Sequence, residues 1–88
     1  MKSFEMTIED AVGIHARPAG LLVQLAQRFE SESTVTVKDS GKSASLKRLF
    51  ALMGLGIKTG DRVTVSVNGT DEEEATAQLQ EWMQQHLG

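Results

Sequence analysis

Val63, Val65 and Val67 alternate with Thr64 and Ser66, the pattern of a strand buried on one face and wet on the other. Phe4, Met6 and Ile8 repeat that period, and Thr34-Val35-Thr36-Val37 returns to it. An apolar face of this kind needs a cover, and two stretches with helical spacing supply one. From Arg17 to about Arg28 the stripe is Ala19, Leu22, Leu25 and Ala26, continued by Phe29; near the end it is Ala75, Leu79, Trp82 and Met83. Half-wet strands beside single-striped helices predict an α+β chain: a four-stranded antiparallel sheet with helices on one face and water on the other.

The connections fill in the order. Asp10 to Gly13 reads as a loop, and Asp39-Ser40-Gly41 as a turn into a short strand around Lys42 to Ala44. A compact helix over roughly Leu46 to Met53 follows, with Gly54 and Gly56 suited to ending it. Lys58-Thr59-Gly60-Asp61 is a further turn, and Asn68-Gly69 closes the last strand. Thr70-x-x-Glu73 has the form of a capping box, with Asp71 to Glu74 placing acid at the positive end of a helix. The predicted order is β-α-β-β-α-β-α, with residues 1–88 as one domain around one core.

Composition excludes several functions. A net charge of −3 gives no basic face for nucleic acid. Without cysteine there is no disulfide, thiolate metal site or cysteine nucleophile, which is compatible with a cytoplasmic protein. Met1 to Met6 lacks the apolar run of a secretory signal, and no segment approaches membrane-spanning length. His15 and His86 lie far apart without ligand spacing, so no metal is expected. His86, near a helix C-terminus, complements the dipole there.

Gly13-Ile14-His15-Ala16-Arg17-Pro18-Ala19 carries the chemistry. Pro18, without an N–H and with a preset φ, suits the start of a helix. The free amides of a first turn and the dipole behind them favour an anion. Arg17 adds a donor fork matched to phosphate oxygens. Histidine titrates near neutrality, and its neutral ring nitrogen is a competent nucleophile. The segment reads as a histidine that takes a phosphoryl group and rests it on a helix N-terminus.

These residues closely resemble the active-centre motif of HPr, the histidine-containing phosphocarrier family of the bacterial phosphotransferase system. Gly41 to Lys47 and Leu52 to Gly60 resemble the family's second-helix region, and the likeness runs from about Phe4 to Leu87. The resemblance implies an open-faced β-sandwich and a transient phosphohistidine on His15, at Nδ1. It implies phosphate contacts from Arg17 and from the backbone amides of Ala16 and Arg17. It further implies a cofactor-free carrier rather than a complete enzyme, taking phosphate from enzyme I and passing it to enzyme IIA-type proteins. A monomer that exchanges partners in transient complexes is expected. A regulatory HPr-like paralogue, in a nitrogen-linked or other phosphorelay, is the alternative.

Leu46, Leu49, Phe50 and Met53 form a helical stripe, yet Leu52 and Leu55 are apolar too. Either all are core or part of the helix faces a partner; the resemblance implies that Leu49, Phe50 and Met53 form the docking patch. In many HPr proteins a regulatory serine opens this helix. Arg48 occupies that position here, and neither Ser43 nor Ser45 aligns with it.

Overall fold

The computed structural model describes residues 1–88 and has the predicted element order. Strand β1 (Lys2–Thr7) is followed by helix α1 (Ala16–Ala26), strands β2 (Glu32–Val37) and β3 (Ser43–Ser45), helix α2 (Leu49–Met53), strand β4 (Arg62–Asn68) and helix α3 (Glu72–Leu87). The strands form one antiparallel sheet in the order β1-β4-β2-β3. The valine-rich β4 lies inside the sheet, and its register sets apolar residues in rows. Phe4, Val65 and Val35 are paired across the sheet, as are Met6, Val63 and Val37. These rows join Leu22, Leu46, Leu52, Leu79 and Met83 in one core under the helices. The other face is polar: Glu5 lies between Lys38 Nζ and Arg62 Nε, 3.3 Å from each. Hydrogen bonds from Lys38 and then Arg62 hold its carboxyl below the ordinary range.

Local boundaries differ from the sequence pattern for identifiable reasons. Helix α1 stops at Ala26; Phe29 reaches the core from the following turn, Val23 joins the buried stripe, and Leu25 is only partly buried. Helix α2 begins at Leu49 rather than Leu46. The hydroxyl of Ser45 accepts the Lys47 N–H at 3.1 Å and its carbonyl accepts the Arg48 N–H at 3.2 Å, so residues 45–48 form a turn in place of a first helical turn. Leu46 is still fully buried. Gly56, not Gly54, takes the left-handed conformation after the helix, at φ 63°.

The Thr70/Glu73 capping box does not form. Asp71 is the N-cap of α3, and its carboxylate accepts the Glu30 and Ser31 amides at 2.9 Å each together with the Ser31 hydroxyl. Thr70 donates instead to Glu30 Oε2 at 3.2 Å, and Glu72 accepts the Gly69 amide at 3.3 Å. The chain between α1 and β2 has its own amides to satisfy, and these tertiary donors take the carboxylate from the local cap. Gly69 permits the approach: a Cβ there would lie 2.6 Å from Ser31 Cα. At the far end of α3, His86 stacks on the half-buried Trp82 with centroids 4.4 Å apart, and its Nδ1 donates to the Trp82 carbonyl at 2.9 Å.

Leu79→Ala should cost about 2–5 kcal/mol in urea unfolding. Ser33, buried in β2 with its hydroxyl unpartnered, should tolerate Ala with no loss or a small gain. The Ser31 hydroxyl and then the Glu30 amide lower the Asp71 pKa. A carboxyl depressed in the fold stabilises above its unfolded value, about 3.9, and that contribution disappears as pH falls through the folded value. Melting curves should therefore show Asp71→Asn less stable at pH 7, with the difference from wild type closing below about pH 4.

Candidate functional site

His15 is the N-cap of α1, in extended conformation (φ −112°, ψ −176°), and its side chain makes no capping hydrogen bond. The imidazole is exposed and uncommitted. Its carbonyl accepts the Ala19 amide at 2.9 Å, which leaves the Ala16 and Arg17 amides without an acceptor in the chain. Pro18 has no N–H to orphan; it is the third helical residue rather than the first, still within the turn where no amide bond is forfeited. The first turn of α1 contains no acid, whereas that of α3 holds Glu72, Glu73 and Glu74. The α1 terminus thus presents unneutralised positive potential. Arg17 is exposed beside it and makes no ion pair.

The loop that delivers His15 is pinned on several sides. Glu9 and Asp10 amides donate to the Leu87 carbonyl at 2.8 and 3.2 Å, closing the end of α3. Thr59 donates its hydroxyl to the Asp10 carbonyl, and the Asp10 carboxylate accepts the Val12 amide at 3.2 Å. The Ile14 amide donates to the Ile57 carbonyl at 3.1 Å. Gly13 has φ 78° and is buried against the backbone of residues 57–58; a Cβ would meet Lys58 Cα at 2.5 Å. Ile14 and Ile57 both turn into the core. The motif contained Gly13, but only the structure shows that a backbone occupies the place of its side chain.

Helices α1 and α2 run in opposite directions side by side. Gln27 Nε2 donates to the Lys47 carbonyl at 3.1 Å and Lys47 Nζ to the Phe29 carbonyl at 2.8 Å, tying the end of α1 to the start of α2. The Ile14–Ile57 bond ties the start of α1 to the segment after α2. The expected apolar stripe of α2 is divided: Leu46 and Leu52 are core, Leu49 is partly buried against it, and Phe50 and Met53 are exposed, Phe50 by 86%. Val12 and Leu21 are also exposed, and sequence spacing gave no sign of either because adjacent leucines and a loop valine have no readable face. Arg48 is the exposed N-cap of α2, with no capping bond of its own. Segments 11–29 and 40–60 carry Arg17, Arg28, Lys42, Lys47, Arg48 and Lys58 and no acid; all 12 Asp and Glu residues lie elsewhere. The segments that hold α1 and α2 are thus purely cationic in a protein of net charge −3.

An exposed, uncapped histidine at a helix N-terminus on this fold has a counterpart in known proteins: the family model described as "PTS HPr component phosphorylation site" matches residues 2–85. This chain belongs to the HPr family. The phosphocarrier protein HPr of Mycoplasma genitalium is 46% identical over 79 residues, 90% of this chain and 89% of that protein. A solved mycoplasma histidine-containing phosphocarrier protein is 33% identical, with a TM-score of 0.90 over 98% of this chain and 97% of its own. HPr from Thermoanaerobacter tengcongensis gives a TM-score of 0.89 at 36% identity, over 98% and 94%. The open sheet with its helices on one face is the HPr fold, and no helix here is long and apolar enough to cross a membrane.

Gly13→Ala requires both a left-handed alanine and a retreat of Lys58, and should cost more than about 1 kcal/mol. Hydrogen exchange should show faster loss of the Ile14 amide proton in the variant, with the β4 amides less affected.

Proposed function

We propose that His15 accepts a phosphoryl group from phosphorylated enzyme I and returns it to an enzyme IIA-type protein. The observation that carries this reading is the exposed, uncapped imidazole at an open helix N-terminus, in a chain of the HPr family. The Nδ1 lone pair attacks the donor's phosphorus; the P–N bond forms as the bond to the donor atom breaks, and that electron pair stays with the donor. Transfer to the next protein reverses the roles. The Ala16 and Arg17 amides and the Arg17 fork receive the phosphoryl oxygens. Exposed dipole contacts are worth about 0.3–1 kcal/mol each, enough to orient a dianion and too little to trap it. The chain needs no cofactor for this and acts as a carrier, with both transfers catalysed in complexes.

Phe50 and Met53, with the outer edge of Leu49, form the docking patch, and the cationic α1/α2 side steers partners with acidic surfaces. Arg48, in the place of a regulatory serine, removes control by a serine kinase and holds a positive charge where phosphoserine would be negative. A monomer working in the cytoplasm fits rapid exchange between partners.

Incubation with enzyme I and labelled phosphoenolpyruvate tests the reading. Acid-labile, base-stable label should appear on His15 and vanish in His15→Ala without a change in Tm; label retained in that variant would refute the assignment. Arg17→Ala should slow transfer about 10- to 100-fold, the worth of a charge-assisted hydrogen bond. Phe50→Ala should raise KM for enzyme I while leaving Tm unchanged, because its ring is exposed.

A further inference from the structure

We infer that Lys58 is a second cationic contact for the phosphoryl group on His15. The inference rests on the proposed phosphorylation of His15, and it starts from the place where two segments meet. Gly13 lies on the backbone of Lys58, and the Ile14 amide is bonded to the Ile57 carbonyl at 3.1 Å. Ile14 and Ile57 point inward, exposed by 8% and 4%. The next residue on each segment, His15 and Lys58, is exposed on the outer side. Neither segment is a strand, and Gly13, two residues before His15, lies directly on the Lys58 backbone, so the two side chains leave neighbouring stretches of chain. A flexible four-carbon lysine stem starting there reaches toward the oxygens of a group on the imidazole.

Nothing in the chain competes for that ammonium. Lys58 makes no ion pair. The nearest carboxylate along the turn, Asp61, accepts the Lys58 backbone amide at 3.0 Å, and Asp10 accepts the amide of Val12. Asp61 therefore fixes the residue's backbone and leaves its charge free. Arg17 arrives from the helix side of His15 and Lys58 from the turn side, so an anion placed there meets cations from two elements. Helix α1 supplies one, and the α2–β4 turn the other.

Lys58 acts on the bound group's charge rather than on the fold, and the test reads that charge. In the phosphorylated full-length protein, 31P NMR titration should place the second ionisation of the phosphoryl group about 0.3–0.7 pH units higher in Lys58→Gln than in wild type. The corresponding equilibrium of phosphoryl exchange with enzyme I should shift about two- to fivefold against the carrier, and less at 1 M salt. Lys58→Arg should restore both. An identical titration in wild type and Lys58→Gln, with His15 phosphorylated in each, would overturn the inference alone. Absence of phosphate from His15 in the wild-type protein would instead overturn the reading on which it depends.

Discussion

The backbone contact between Gly13-Ile14 and Ile57-Lys58 decides what the rest of the molecule can do. It fastens the start of α1 to the chain leaving α2, and so fixes where His15 emerges relative to Phe50 and Met53. Because Gly13 has no side chain, the two backbones close to a separation that any other residue would forbid. Ile14 is thereby drawn into the core, and the next residue is turned out to solvent. The start of α1 has no side-chain cap, and its Ala16 and Arg17 amides have no acceptor in the chain.

The two long helices show opposite treatments of the same electrostatic problem. Helix α3 begins among glutamates, and Glu72 meets the α-amino group of Met1 at 2.9 Å and the Gly69 amide. That amine first, and then the amide, hold the Glu72 carboxyl below its ordinary range, so this terminus is neutralised from within. Helix α1 has no acid in its first turn and a histidine at its cap. Segments 11–29 and 40–60, which hold α1 and α2, contain no acid, although acidic residues outnumber basic ones 12 to 9. The uneven distribution leaves the α1 end without a neutralising carboxylate and with Arg17 exposed beside it.

Much of this was legible in the chain itself. Period-two valines announced the strands, because that signal depends on local sequence, and the His15-Arg17-Pro18 grouping falls at the start of α1, where a helix-opening proline was expected. Helix α2 was legible only in part: Ser45 diverts residues 45–48 into a turn, and a short apolar segment cannot declare which face is buried. Only packing showed that Leu52 enters the core while Phe50 leaves it. The Thr70/Glu73 pattern misled because α3 starts one residue later, with Asp71 as its N-cap, while Thr70 turns its hydroxyl to Glu30, 40 residues away. The Lys58 backbone meets Gly13 only in the fold, where no local pattern could mark it.

The central claim is that the open end of α1 receives the phosphoryl oxygens. Amide 1H–15N spectra of the free and phosphorylated protein test it directly. On phosphorylation, the Ala16 and Arg17 amide protons should move strongly downfield while the Glu72 and Glu73 amides of α3 stay in place. Unmoved Ala16 and Arg17 amides in a protein carrying phosphate on His15 would contradict the account.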